Sequence, residues 1–189
     1  ETLGDFEHPQ AVPALVARLE DTAEHPNVRR AAAQSLGRLN QPAATPALLH
    51  AVAGGDFWLR HAAVEALSRL GDPQAVEPLV ALMKQDAWIR PAVIRALGNL
   101  GQTTAVADLA AALDDPNETV RAATLEALFK LVIEPTGRRS GSPRTALLRP
   151  LIPLEPLRRE LGARLVPSSV FAAHLLGWLG RPEALMDLL

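Results

Sequence analysis

Five histidines are the residues of this sequence with the widest chemical repertoire, because imidazole binds metals and moves protons near neutral pH. They stand at positions 8, 25, 50, 61 and 174, in no H-E-x-x-H segment or other paired ligand spacing. The chain has no cysteine, which excludes disulfides and thiolate metal sites. It also lacks a nucleotide-binding loop and a nucleophile elbow. The sequence therefore predicts no catalytic residue, no metal and no cofactor, and we expect a protein that is not an enzyme.

Tryptophan and arginine offer a different chemistry, the recognition of a partner, because protein interfaces are enriched in both. Trp58 and Trp88 are 30 residues apart, and each stands directly before an apolar residue that begins a helical pattern. A tryptophan side chain that a partner covers buries about 150 to 250 Å², which would stabilise a complex by several kcal/mol. The alternative is that both indoles pack against a neighbouring helix, and the sequence leaves both possibilities open.

The two tryptophans recur because the sequence itself repeats. The segment V-R-R-A-A-A-Q-S-L-G-R-L begins at Val28, and related segments begin at Leu59, Ile89 and Val120, at spacings of 31, 30 and 31 residues. A second set of helical segments, often opened by proline, lies between them. Each repeat is thus predicted to be a pair of helices, here called helix A and helix B.

Local signals mark the ends of each helix B. Asn40, Gly71 and Gly101 follow helix B, where a left-handed backbone conformation commonly ends a helix. Asp56 precedes helix B of the second repeat and is a suitable N-cap. Pro91 stands one turn into helix B of the third repeat, where it is expected to kink that helix or delay its start.

A pair of helices this short cannot bury its apolar stripe alone, so neighbouring pairs must share a core. We therefore predict an all-α fold, a right-handed α-solenoid of about five stacked helical hairpins that forms one domain over residues 1–189. The regular repeats cover residues 9–131, an inserted basic loop covers 134–150, the last repeat covers 151–180, and a further helix starts in 182–189. Both ends resemble interrupted repeats, so we expect either a fragment of a longer chain or an end that another subunit covers.

Helical geometry at 100° per residue divides helix B into two sides, a core side that includes its first apolar residue and an outward column. Val170, His174 and Trp178 are expected to close this column in the last repeat. The predicted partner-binding residues lie in the column or next to it, and they are Arg30, Arg38, Phe57, Trp58, His61, Glu65, Arg69, Trp88, Arg95, Asn99 and Lys130.

The segments L-G-D-P-Q-A-V-E-P-L and D-x-x-[VIL]-R-x-x-A-x-x-A-L resemble the short HEAT-like repeat named from phycobilisome bilin lyases and also used in designed repeat binders. The resemblance covers residues 9–131. It implies that the B helices line a concave, target-binding surface, and that arginines and aspartates join neighbouring repeats in a ladder of hydrogen bonds. The residues assigned to this structural ladder are Arg29, Arg60, Arg90, Arg121, Asp56 and Asp86.

These features favour a non-catalytic protein-protein interaction module or scaffold whose protein partner the sequence does not identify. One alternative is a nucleic-acid-binding solenoid, which is less favoured: residues 128–165 hold 8 basic and 3 acidic residues, but residues 1–127 hold 10 and 16. The other alternative, from the resemblance, is a subunit of a bilin lyase-like enzyme. No apolar run reaches the roughly 18 residues of a membrane span. We therefore expect a soluble chain, with the cytoplasm favoured as its compartment.

Overall fold

The computed structural model of the protein describes residues 9–133, 147–161 and 166–180. All the regular structure in these ranges is helical, as predicted. The chain divides into two compact units, residues 1–96 and residues 97–189, and the division falls inside one helix. Most of the predicted insertion, residues 134–146, and the predicted terminal helix start at 182–189 lie outside the described residues.

The first unit contains paired helices whose apolar faces meet in a shared core. Its helices are α1 (Val12–Glu20), α2 (Pro26–Leu39), α3 (Thr45–Gly54), α4 (Phe57–Leu70), α5 (Val76–Gln85) and the beginning of α6 (Arg90–Leu100). The odd-numbered helices are the predicted A helices and the even-numbered helices are the B helices. Helix α2 packs against both α1 and α4, and α3 packs against α4, so each pair shares its core with the next.

The second unit contains the remainder of α6 and the less regular repeats. Its other helices are α7 (Val106–Ala111), α8 (Glu118–Val132), α9 (Leu154–Leu161) and α10 (Val166–Leu179). Helix α8 packs against α7 and α10, and α9 packs against α10. Within the described residues, the helical hairpin therefore resumes after the inserted segment.

The helix ends follow the local signals in the sequence. Asn40, Gly71 and Gly101 have φ angles of 49°, 66° and 70°, the left-handed conformation expected after helix B. The Asp56 side chain accepts a hydrogen bond of 2.9 Å from the backbone N–H of Leu59 and thereby caps α4. The ends of α2, α4 and α6 and the start of α4 are thus set by residues that the sequence identifies.

Helix α6 starts later than its counterpart α4. Helix α4 begins directly after its cap residue, at Phe57, whereas residues 87–89 form a turn and α6 begins only at Arg90. Pro91 is the second residue of α6. A backbone N–H at this position has no acceptor within the helix, so the proline removes no helical hydrogen bond. The predicted delay is confirmed, and it leaves Trp88 in the turn rather than on the helix.

The B helices of neighbouring repeats approach closely where one residue has no side chain. A Cβ atom added to Gly37 of α2 would lie 2.7 Å from Cα of Ala66 in α4. Within the second unit, a Cβ atom added to Gly98 would lie 2.8 Å from Cα of Ala127. These distances are shorter than van der Waals contact, so glycine is what allows this spacing of the helices.

The first apolar residue of helix B is buried in α4, just before α6 and in α8, but not in α2. Leu59, Ile89 and Val120 are at most 1% exposed, whereas Val28 is 41% exposed, which contradicts the expectation that it faces the core. The residue belongs to the first helix B of the described ranges. No described helix B precedes α2, so nothing in the described residues covers this side of it.

Candidate interaction surface

The outward columns of α2, α4 and the α6 segment form the candidate site in the first unit, here called the helix-B surface. It comprises Arg30, Arg38, Phe57, Trp58, His61, Glu65, Arg69, Trp88 and Arg95. Trp58 is 65% exposed and Trp88 is 87% exposed, so the indoles lie in solvent rather than in the core. The structure therefore excludes the packed alternative for these two side chains.

An ion pair joins the two segments that carry the tryptophans. Nη1 of Arg60 lies 2.8 Å from Oδ2 of Asp86, and this pair joins the first turn of α4 to the loop before α6. The other oxygen, Oδ1 of Asp86, accepts a hydrogen bond of 2.9 Å from the backbone N–H of Trp88. Trp58 stands two residues before Arg60, so both tryptophans lie within two residues of the Arg60–Asp86 pair in the sequence.

Phe57 supports the first of these indoles. The rings of Phe57 and Trp58 meet edge to face, with centroids 5.1 Å apart, and His61 lies 6.3 Å from Phe57 on the same helix. Nδ1 of His61 is 3.8 Å from Oε1 of Glu65, which is too long for a hydrogen bond. Phe57 and His61 are half-buried, whereas Glu65 is exposed, so α4 presents an aromatic end followed by a polar one.

Three of the four arginines of the helix-B surface are more exposed than the ladder arginines. Arg38, Arg69 and Arg95 are exposed, and Arg30 is half-buried. The guanidinium of Arg38 donates a hydrogen bond of 3.3 Å to Oγ of Ser35 on its own helix. The surface therefore combines flat aromatic groups with cationic groups that can form bidentate hydrogen bonds to carboxylates.

The two predicted site residues of the second unit contact each other. Nζ of Lys130 donates hydrogen bonds of 3.1 Å to Oδ1 of Asn99 and of 2.7 Å to Oε1 of Glu126. Asn99 and Lys130 occupy the same position in successive repeats, 31 residues apart. The outward columns of neighbouring B helices are therefore in register in this unit.

The ladder arginines bond mainly to helix ends and adjoining loops. Nε of Arg29 donates to the backbone oxygen of Leu19 at 2.9 Å, and Nε of Arg90 donates to that of Met83 at 2.8 Å. Both acceptors are in the preceding helix A of the same repeat. In these two cases arginine satisfies a carbonyl group that the end of helix A leaves without a helical partner.

Arg121 has a partner that the sequence did not suggest. Its Nε lies 2.6 Å from Oε1 of Glu160, which is 1% exposed and comes 39 residues later, and its Nη1 donates to the backbone oxygens of Asp115 and Pro116. Glu160 lies beyond the insertion, where the repeat register is broken. The only available signal was that this acidic residue falls in an amphipathic helix that follows the insertion.

The expectation that Trp178 closes the exposed column is wrong. Its side chain is 9% exposed, and the guanidinium of Arg149 lies over its ring, 5.3 Å from the centroid. Phe129 occupies the position that glycine holds in α2 and α6, and it packs on Phe171 and His174 with centroids 5.2 and 5.4 Å away. The last repeat thus packs differently from the earlier ones, because Arg149, near the end of the predicted insertion, covers Trp178.

Some of the basic residues on which the nucleic-acid alternative rests lie within the described ranges. Arg158 pairs with Glu155 at 2.6 Å, and Arg159 donates to the backbone oxygen of Leu113 at 2.6 Å. Arg138, Arg139 and Arg144 lie outside the described residues. In the described ranges no group of three or more acidic or histidine side chains is placed to hold a metal ion, and no helix is long and apolar enough to cross a membrane.

Paired helices that recur about every 30 residues and share their cores define a helical-repeat solenoid. The chain belongs to the HEAT-repeat family, whose profile matches residues 1–68 and 45–128. The helical-solenoid fold and the HEAT-like repeats of the bilin lyase type predicted from sequence are both confirmed.

Curated relatives match shorter segments. The chain is 48% identical over 58 residues to the bilin biosynthesis protein PecE of Mastigocladus laminosus, covering 30% of this chain and 22% of the relative. It is 39% identical over 79 residues to phycocyanobilin lyase subunit alpha of a Picosynechococcus species, covering 39% of this chain and 30% of the relative. The matches thus span less than a third of the length of either relative.

Solved structures match almost the whole chain. The complex of CpcE and CpcF of phycocyanin lyase from a Nostoc species has a TM-score of 0.61 at 27% identity, covering 98% of this chain and 71% of that chain. A designed armadillo repeat protein in complex with a (KR)4 peptide has a TM-score of 0.71 at 18% identity, covering 94% of this chain and 86% of that chain. The second likeness shows the fold alone.

The expectation that this protein is not an enzyme is wrong. Its relatives are named as a bilin biosynthesis protein and as the alpha subunit of a phycocyanobilin lyase, which are names of catalytic systems. The sequence motifs missed this because they detect chemistry only where a short segment of one chain supplies the reacting groups at a fixed spacing.

Proposed function

We propose that this chain is the repeat domain of a bilin lyase-type subunit, and that its helix-B surface is where it contacts another protein. The lyase assignment rests on the 48% identity over 58 residues with a bilin biosynthesis protein. The contact surface rests on one observation of the structure: Trp58 and Trp88 lie in solvent at 65% and 87% exposure in neighbouring repeats. Large aromatic residues in this state are the usual centres of binding energy at protein interfaces.

The structure of the CpcE and CpcF complex supports an activity that needs two chains, since it holds two subunits of a lyase together. In this chain the helix-B surface offers indole rings and guanidinium groups. Such groups bind and orient another molecule. In this proposal the subunit brings the bilin and its acceptor protein together, so that the two reacting groups meet in a productive geometry.

The activity is tested by mixing the purified protein with phycocyanobilin and phycocyanin apoprotein, with and without a second lyase subunit. We expect visible absorbance that remains on the apoprotein after denaturation, and we expect its yield to depend on this chain. The same yield without the chain would refute the lyase assignment.

The contact surface is tested with the double variant Trp58→Ala and Trp88→Ala. We expect binding to the second subunit or to the apoprotein to weaken by more than about 2 kcal/mol, because two exposed indoles lose their partner contacts. Helicity should be unchanged, since neither side chain supports the core. Leu147→Ala is the matched control: Leu147 is 74% exposed but belongs to the other unit, and its removal should leave binding unchanged.

A further inference from the structure

The charge of the helix-B surface differs from that of the unit that carries it. Residues 1–96 contain 9 Lys and Arg against 11 Asp and Glu, so the unit is slightly acidic. The helix-B surface nevertheless carries four arginines and one acidic residue, Glu65. Positive charge is therefore concentrated on the side of the unit that also exposes the two tryptophans.

Three of these arginines are not neutralised by the rest of the unit. Arg30, Arg69 and Arg95 make no hydrogen bond or ion pair through their side chains with any described residue, whereas Arg60 pairs with Asp86 at 2.8 Å and Arg18 with Glu24 at 2.8 Å. The sequence supplies acidic partners for arginines elsewhere in this unit. The guanidinium groups of Arg30, Arg69 and Arg95 therefore keep their capacity to bind carboxylates.

The second unit shows the opposite arrangement at equivalent positions. Lys130 corresponds to Arg69, and its ammonium group is bonded to both Glu126 and Asn99. The cation of this column is thus satisfied within the unit. The available positive charge belongs to the outward columns of the first three repeats and is not a general property of the B helices.

The size of the surface indicates the kind of partner. Trp58 and Arg69 are 11 residues apart on α4, which corresponds to about 16 Å along the helix axis. Arg30, Arg69 and Arg95 lie on three successive B helices, and packed helices are spaced by about 8 to 10 Å. Small ligands are mostly enclosed by a cavity. Groups this widely spread, with indoles this exposed, fit a segment of a macromolecule instead.

We propose that the helix-B surface of the first unit binds an acidic protein segment that also carries apolar side chains. The apolar side chains contact Trp58 and Trp88, and the carboxylates of the segment pair with Arg30, Arg69 and Arg95. This inference rests on the proposed function in one respect, that the helix-B surface contacts another protein. It adds the chemistry by which that protein is recognised.

The test measures fluorescence anisotropy of a short labelled peptide of alternating glutamate and leucine, titrated with the full chain at low and high salt. We expect saturable binding that weakens as salt is added. The double variant Arg69→Gln and Arg95→Gln should weaken binding by about fivefold or more, because two charge pairs with the peptide are lost. Arg18→Gln with Lys84→Gln removes the same charge outside the surface and should change affinity by less than about twofold.

Three results would overturn the inference. One is equal binding of a peptide in which lysine replaces glutamate. Another is an affinity that the Arg69 and Arg95 changes leave unaltered. The third is tighter binding of single-stranded DNA than of the acidic peptide, since stacking on tryptophan and pairing with arginine also suit nucleotides. Failure of the bilin-transfer assay with peptide binding intact would refute the lyase assignment and leave the acidic-segment inference standing.

Discussion

Asp86 makes two contacts at one point between neighbouring repeats. Its carboxylate pairs with Arg60 of α4 and also accepts the backbone N–H of Trp88, so one side chain holds both the repeat junction and the turn that presents an indole. The pair is half-buried, with side-chain exposures of 27% and 17% for Arg60 and Asp86. A pair in this setting is less screened by solvent than one on an open surface.

The substitution Asp86→Ala is expected to lower the free energy of unfolding by about 1 to 2 kcal/mol, because it removes an ion pair and a turn hydrogen bond together. Asp21→Ala is the control. Oδ1 of Asp21 accepts the backbone N–H of Ala23 at 2.9 Å, without an arginine partner among the described residues. Urea denaturation of both variants separates the contribution of the ion pair from that of the turn hydrogen bond. Equal losses of unfolding free energy in the two variants would show that the pair with Arg60 adds no stability.

At the scale of the helix, spacing between B helices depends on very small residues. Gly37 in α2 lies against the backbone of Ala66 in α4, and an added methyl group would meet it at 2.7 Å. Since backbone atoms cannot move aside as a flexible side chain does, the helices themselves would have to separate. Close packing at this point also sets how far apart neighbouring outward columns lie.

Gly37→Ala is expected to destabilise the protein by about 1 to 3 kcal/mol through overpacking. Gly54→Ala is the matched control, because a Cβ atom added at Gly54, the last residue of α3, meets nothing within 4 Å. That control should be neutral or stabilising by up to about 1 kcal/mol, since alanine favours the helix. Thermal unfolding followed by circular dichroism measures the stability of both variants. If Gly37→Ala leaves the stability unchanged, close packing at Gly37 does not determine the spacing of α2 and α4.

The repeat pattern was sufficient to predict the regular elements but not the last ones. Helices α1 to α8 each follow from apolar periodicity, and all but α7 also have a proline or a capping side chain near their start. The contacts of Arg121 with Glu160 and of Trp178 with Arg149 could not be predicted, because both cross or border an insertion that has no counterpart in earlier repeats. The sequence does not decide the exposure of Trp58 and Trp88, since angular position alone does not reveal whether a neighbour covers a side chain.

At the scale of the whole molecule, a repeat protein is stabilised mainly by contacts between neighbours, so a local defect should spread only a short way. In the first unit α2 packs on α1 and α4, and in the second unit α8 packs on α7 and α10. Each of these packing contacts lies within one unit. Local unfolding within one unit is expected to cost less than global unfolding.

Native-state hydrogen exchange of the Gly37→Ala variant tests this expectation. Backbone amides of α2 and α4 should exchange faster than in the unmodified protein, because the substitution weakens the contact between these two helices. Amides of α8 should keep their protection. If protection falls by the same factor throughout the described helices, the chain unfolds as a single cooperative unit instead.

The unequal burial of the three tryptophans gives the protein an optical consequence. The sequence contains no tyrosine, so ultraviolet emission comes almost wholly from Trp58, Trp88 and Trp178. The first two indoles lie in water and are accessible to a dissolved quencher, whereas Trp178 is 9% exposed beneath the guanidinium of Arg149. Quenching of the emission of Trp58 and Trp88 therefore reports whether a partner covers the helix-B surface. The protected emission of Trp178 reports whether the last repeat is folded, and neither measurement needs an attached label.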